Sequence, residues 1–155
     1  MIVFIGEFEV TLDAKGRFLL PAGAKKHLPE GHGGEFIIAR GQDTCLNLYP
    51  KENWNGIVED LRKVNQFNKD AAAYLRYSLM GATGTELDSA GRLLIPPNLR
   101  EHAGLEKEVM LISILDKIEI WDKSKYQQFF DSFTQEKYDE LQQRVMGGPG
   151  ARNEK

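Results

Sequence analysis

The chain of 155 residues is most informative first through what it lacks. Its single cysteine, Cys45, excludes an internal disulfide and a cysteine-built zinc site. Its three histidines, His27, His32 and His102, sit in no HExxH pattern, and there is no GxSxG, no Walker loop and no cysteine with a neighbouring base. No catalytic residue, metal ligand set, cofactor or small-molecule substrate is therefore expected. Long apolar runs are missing too: MIVFI offers five apolar residues before Gly6 and Glu7, with no basic stretch ahead of them. That is too short for a signal-peptide core or a membrane span, so a cytoplasmic protein without a membrane partner is expected. Nor is there an excess of positive charge: 20 Lys and Arg face 23 Asp and Glu, for a net charge of -3, which argues against indiscriminate nucleic-acid binding but leaves room for a locally basic face. The size excludes a large multidomain enzyme, while 41% hydrophobic and 28% charged residues give the composition of a chain that folds around a core.

What the chain does have is an internal repeat. TLDAKGRFLLP at 11–21 aligns without gaps with ELDSAGRLLIP at 86–96, an offset of 75, and six of the eleven positions are identical. At an offset of 72, LNLYPKENW at 46–54 matches IEIWDKSKY at 118–126. The glycine-rich GHGG at 31–34 has no counterpart in GLEKE at 104–108, so an insertion in a turn is expected to account for the three-residue change. GHGG lacks the lysine and the strand-to-helix setting of a phosphate loop and reads as a turn.

Both copies carry the same signals. Alternating Phe8, Val10 and Leu12 lead into DAKGR and then FLLP, a hairpin pattern in which Gly16, like Gly91 in the second copy, can supply a positive φ. Short helices follow Pro21 and Pro96. A second hairpin is predicted from FIIAR with LNLYP, and from EVMLISIL with IEIW, around GQDT and DK turns. Amphipathic helices come next, with Trp54, Ile57, Val58, Leu61 and Val64 on one and Tyr126, Phe129, Phe130 and Phe133 on the other. Further helices are predicted after Asn68 and Thr134, which are suited to N-capping. GATGT at 81–85 reads as the link between halves, and the stretch 147–155 as a mobile tail. The expected modules are 1–80, with its core at 7–54, and 81–146, with its core at 83–126. Four short strands are too few to bury a core alone, so the copies should complete one another as a pseudo-twofold α+β barrel with flanking helices.

The duplicated Asp-x-x-x-Arg admits two readings that can hold together. Asp13 with Arg17, and Asp88 with Arg92, can clamp their own turns, or the turn can project Arg17 with Lys15 toward phosphates or guanine edges. Local charge differs between the copies. Residues 11–28 carry Lys15, Arg17, Lys25 and Lys26 against Asp13 alone, whereas 86–105 carry Arg92 and Arg100 against Glu86, Asp88 and Glu101, and Ala90 stands where the first copy has Lys15. The first copy is thus the stronger anion-binding candidate. His27 and His102 fall at equivalent positions, and are read as surface histidines or as a paired metal or proton site.

DAKGRFLLP and DSAGRLLIP, together with the GEFEVTLD opening, resemble the MraZ family over about residues 5–145. The resemblance implies bacterial transcriptional regulators with two SpoVT-AbrB-type modules, hence a duplicated swapped-hairpin barrel. It further implies binding of double-stranded DNA at short direct repeats upstream of a division and cell-wall gene cluster, ring-like homo-oligomers and a nucleoid-associated location. It assigns DNA contact to Arg17 and Arg92, and turn organisation to Asp13 and Asp88. Ring assembly would convert a few weak phosphate contacts per module into avidity. The competing class is an antitoxin-like protein-interaction module, for which the aromatic stripe Tyr126, Phe129, Phe130, Phe133 and Tyr138 would face a partner, unless it packs on its own barrel or a neighbouring subunit.

Overall fold

The structure, a computed structural model, describes residues 1–147, so the tail expected from residue 147 onward lies outside the described residues except for Gly147. The fold is mixed α+β. Each copy contributes four strands: β1 Glu7–Thr11, β2 Arg17–Leu19, β3 Glu35–Arg40 and β4 Leu46–Pro50, then β5 Thr83–Glu86, β6 Arg92–Leu94, β7 Glu108–Ile114 and β8 Lys117–Asp122. The helices are α1 Ala22–Lys25, α2 Lys51–Arg62, α3 Lys69–Leu79, α4 Pro97–Ala103, α5 Lys123–Asp131 and α6 Gln135–Gln142. Both predicted N-caps are present: Asn68 Oδ1 accepts from Ala71 N–H at 3.1 Å and Thr134 Oγ1 from Lys137 N–H at 3.1 Å. Contacts divide the chain into two compact units, Met1–Lys123 and a second that begins at Ser124 and holds most of α5 and all of α6.

Strand pairing follows an alternation of buried and exposed residues. All ladders are antiparallel, giving a six-stranded sheet in the order β1-β7-β8-β4-β3-β5 and a separate two-stranded ladder, β2·β6. The hairpins β3·β4 and β7·β8 are those the sequence predicts. The first hairpin of each copy departs from expectation. Its turn closes, with Asp13 N–H donating to Arg17 C=O at 2.9 Å, but the flanking strands take their ladder partners from the other copy, β1 from β7 and β2 from β6. The physical reason is burial: cross-copy pairing lets Phe18, Leu93, Leu111 and Ile120 share one core that neither copy could close alone. The supposed linker GATGT is partly strand, since Thr83–Glu86 pairs with β3.

The ladders also relocate the insertion between copies. Val10 faces Val109, and Thr85, its repeat equivalent, faces Phe36; Phe36 therefore corresponds to Val109, an offset of 73. Only two of the three inserted residues fall at GHGG, and the third falls between β3 and β4: five residues separate the paired Arg40 and Leu46, and four separate their equivalents Ser113 and Ile118. GHGG is a turn held by His32, whose side chain is 6% exposed. Its Nδ1 accepts from Gly34 N–H at 2.9 Å, so the proton sits on Nε2, which donates to Glu52 Oε1 at 2.9 Å. Gly34 C=O in turn accepts from Leu87 N–H at 2.9 Å, tying this loop to the second copy.

Gly31 and Gly34 both have positive φ, +79° and +76°, but a Cβ at Gly34 would stand 3.0 Å from Leu87 Cβ whereas one at Gly31 would meet nothing within 4 Å. Both alanine substitutions incur the left-handed backbone cost of roughly 1–2 kcal/mol. Gly34→Ala adds the clash, so thermal denaturation should place its Tm below that of Gly31→Ala. Cys45 is fully buried, its thiol donates to Gln42 C=O at 3.0 Å, and burial pushes its pKa up to about 12. At pH 8 the folded chain should resist a thiol reagent that labels it completely in denaturant.

Candidate nucleic-acid interface

Each Asp-x-x-x-Arg turn is organised by its aspartate. Asp13 Oδ1 accepts from Lys15 N–H at 3.0 Å and Arg17 N–H at 2.9 Å, while Oδ2 accepts from Arg17 Nε at 2.8 Å. The second copy repeats this: Asp88 Oδ1 accepts from Ala90 N–H at 2.9 Å and Arg92 N–H at 2.8 Å, and Oδ2 from Arg92 Nε at 3.0 Å. Gly16 and Gly91, with φ of +86° and +82°, make the left-handed step that returns the chain, as the sequence predicts. The backbone N–H of Arg17 or Arg92 is the largest cause holding each carboxyl below the usual carboxylate range, with the guanidinium adding to it.

The clamp uses Nε and leaves the outer amino groups of the guanidinium out of the hydrogen bonds to its own aspartate. The β2·β6 ladder then brings the two turns together. Its register sets Phe18 opposite Leu93, both buried at 1% and 0% exposure, so the alternate residues Arg17, Leu19, Arg92 and Leu94 share the other face. Leu19 and Leu94 are 58% and 45% exposed on it. Arg92 Nη1 lies 3.9 Å from Asp13 Oδ2, a carboxylate of the other copy. The aspartates therefore both shape the turns and hold two guanidinium groups on one surface.

Sequence reasoning missed one cation at this surface, Arg100. It extends from α4 over the first turn, its Nε donating to Ile95 C=O at 3.1 Å and standing 2.5 Å from where a Cβ on Gly16 would sit. Its repeat equivalent, Lys25 of α1, brings Nζ to 3.5 Å from the corresponding point on Gly91. Each short helix thus delivers a cation to the turn of the opposite copy. The charge asymmetry expected from the sequence is accordingly evened out: Lys15, Arg17 and Arg100 serve the first turn, and Arg92 and Lys25 the second. The 75-residue offset linking Lys25 to Arg100 was the available signal; its use required knowing that the copies interleave. Lys15 is exposed on the first turn, and Lys26 is exposed at the C-terminal end of α1, without an ion pair among the described residues.

The two equivalent histidines differ from the surface reading. His27 and His102 are half-buried, and the His27 ring meets Phe4 edge-on with centroids 6.2 Å apart. Among the described residues no group of three or more His, Cys, Asp or Glu side chains is arranged to hold a metal ion. No described helix is long and apolar enough to cross a membrane. In the second unit, Phe129, Phe130 and Tyr138 remain exposed, while Tyr126 pairs with Phe130 and Phe129 with Phe133 within α5 and just beyond it.

Because Asp13 and Asp88 have lowered pKa values in the fold, their contribution to stability is complete above the unfolded value near 3.8 and is lost as pH falls through the folded values. Carboxyl titration by NMR should find both groups ionised below the ordinary aspartate range. Replacing both with asparagine should shrink the drop in Tm on acidification below about pH 4.

The MraZ family model, described as "MraZ protein, putative antitoxin-like", matches residues 3–77 and again 78–147. A protein named transcriptional regulator MraZ from Acetivibrio thermocellus is 42% identical over 127 residues, 82% of this chain and 86% of its own length. Its namesake from Alkaliphilus metalliredigens is 40% identical over 143 residues, 92% of this chain and 96% of its own. In Moorella thermoacetica the protein of that name is 37% identical over 93% of this chain. Among solved structures, PHS018 from Pyrococcus horikoshii aligns at 18% identity with a TM-score of 0.34, over 77% of this chain and 89% of its own, too distant to bear on the fold. With two tandem matches spanning nearly every described residue, and relatives alike over most of their length, this chain belongs to the MraZ family.

Proposed function

We propose that this chain is a DNA-binding transcriptional regulator, not an enzyme, that reads double-stranded DNA with the outward face of β2·β6 and its two flanking turns. One observation carries the reading: a single short ladder gathers both Asp-x-x-x-Arg turns, with Arg17 and Arg92 on the same exposed face. A two-stranded ribbon fits the major groove of B-DNA, about 12 Å wide. Guanidinium groups fixed through Nε by a carboxylate keep their outer donors aimed and lose little freedom on docking. Arg17 and Arg92 take base edges or phosphates, and Lys15, Lys25, Lys26 and Arg100 supply phosphate contacts. Asp13, Gly16, Asp88 and Gly91 set the turns.

The finer features follow the same logic. Residues 1–80 and 81–146 act as two AbrB-like modules, and β2·β6 caps the six-stranded sheet as a swapped-hairpin, pseudo-twofold barrel. A chain of net charge -3 with about six cations at one surface binds a single site weakly. A ring-like homo-oligomer engaging direct repeats in the promoter of its own division and cell-wall gene cluster gains avidity when repeat spacing matches module spacing. The protein then works in the cytoplasm at the nucleoid.

Fluorescence anisotropy of that promoter DNA against a scrambled duplex, across a salt series, tests this. Wild type should prefer the promoter, with log affinity falling roughly 0.9 per neutralised phosphate as log salt rises. Arg17→Ala should cost roughly 1–3 kcal/mol on the promoter and relax its preference, and Arg100→Ala should weaken both duplexes alike and lower the salt slope by about one. Equal, feeble binding to both duplexes by wild type would overturn the proposal in favour of a protein-interaction role, which the exposed Phe129 and Phe130 and the antitoxin-like family description would then favour.

A further inference from the structure

The outward face of the β2·β6 ladder carries two leucines that contacts to phosphate do not use. Leu19 and Leu94 are 58% and 45% exposed there, although each ends a three-residue strand whose central side chain is buried. Backbone bonds at the two ends of the ladder decide what lies beside them. Leu20 N–H donates to Gly91 C=O at 3.0 Å, and Ile95 N–H to Gly16 C=O at 2.9 Å. Hydrogen-bonded and non-hydrogen-bonded pairs alternate along an antiparallel ladder, so Arg17·Leu94 and Leu19·Arg92 are both of the non-hydrogen-bonded kind. In such pairs the side chains come closest, with Cα atoms about 4.5 Å apart. Each exposed leucine therefore stands directly beside an arginine of the other copy. Leu19 is also held against the second turn, its Cδ1 lying 3.6 Å from the point that a Cβ on Gly91 would take.

We propose that Leu19 and Leu94 are specificity-determining residues that pack on thymine C5-methyl groups in the major groove, each next to the base engaged by its neighbouring arginine. This inference rests on the DNA-binding reading of the same face. Leucine offers a phosphate nothing, whereas the thymine methyl is the apolar group on a major-groove base edge and marks thymine apart from the other bases. The spacing suits it: about 4.5 Å across the ladder against a rise of about 3.4 Å per base places an arginine and its leucine on the same or adjacent base pairs. Each Arg–Leu pair thus joins a donor for a base acceptor to an apolar surface for a methyl. A second copy docked through this face would set Arg17, Arg92, Lys25 and Arg100 against their own counterparts, and that like-charge contact opposes it. A duplex instead surrounds the leucines with phosphates that the same cations attract.

The test is fluorescence anisotropy of wild type on three duplexes at one salt concentration: the promoter DNA, the same DNA with deoxyuridine for every thymine of the bound repeats, and the scrambled duplex. Deoxyuridine keeps the pairing edge of thymine and lacks the methyl. Losing one methyl contact should weaken binding roughly fourfold, and losing both about tenfold. The double variant Leu19→Ala/Leu94→Ala should bind the thymine promoter about tenfold more weakly and no longer distinguish it from the deoxyuridine form. Its salt slope should match that of wild type, because no phosphate contact is removed. Both side chains are exposed, so the variant keeps its fold, and the wild-type comparison needs no variant at all. Equal binding of wild type to the thymine and deoxyuridine promoters, both preferred over the scrambled duplex, overturns this inference and leaves the DNA-binding reading standing. A double variant that still prefers thymine also overturns it. Wild type with no preference for the promoter over the scrambled duplex overturns both.

Discussion

The surface formed by the two turns depends on one carboxylate used twice. In each turn an aspartate accepts two backbone N–H groups with one oxygen and a guanidinium Nε with the other. The backbone bonds fix the loop, and the same group fixes the direction of the arginine. A glycine with positive φ makes the loop tight enough for that geometry. Shape and charge presentation are therefore a single property of the motif, which is why clamping the turn and presenting the arginine are compatible roles.

Interleaving builds on that unit. A β2 strand of three residues has too little edge for independent stability, and β6 is its equal. Paired with each other, they bury Phe18 and Leu93 and expose the arginines on the opposite face. The same exchange sends Arg100 over Gly16 and Lys25 toward Gly91. Each turn receives a cation from the other copy's helix, so a surface that looks lopsided along the chain becomes nearly balanced in space. An acidic chain can in this way carry a local cationic face.

Much of the secondary structure was legible because it rests on local rules. The β-branched and aliphatic runs at Phe36–Arg40 and Glu108–Ile114, the Asn68 and Thr134 caps and the glycine at each turn are satisfied by neighbours within a few residues. The turn residues Asp13, Arg17, Asp88 and Arg92 were legible for the same reason, reinforced by their duplication. What misled was pairing that spans the chain: sequence proximity favoured β1 with β2, whereas burial favoured β1 with β7. His27 and His102, read as surface residues, are half-buried because α1 and α4 lie against the shared core through Ala24, Leu99 and Ala103.

The sequence by itself determined that there are two copies of one unit and that each carries a glycine-containing turn with an Asp-x-x-x-Arg spacing. These follow from residue identity and short spacing, to which backbone conformation responds directly. Only the tertiary structure decided that the two turns share one ladder, that Arg100 belongs with Arg17, and that the insertion between copies is divided between two turns. Those outcomes depend on which distant apolar faces bury one another. Burial is non-directional, and a chain of short strands can satisfy it only by choosing partners across its whole length.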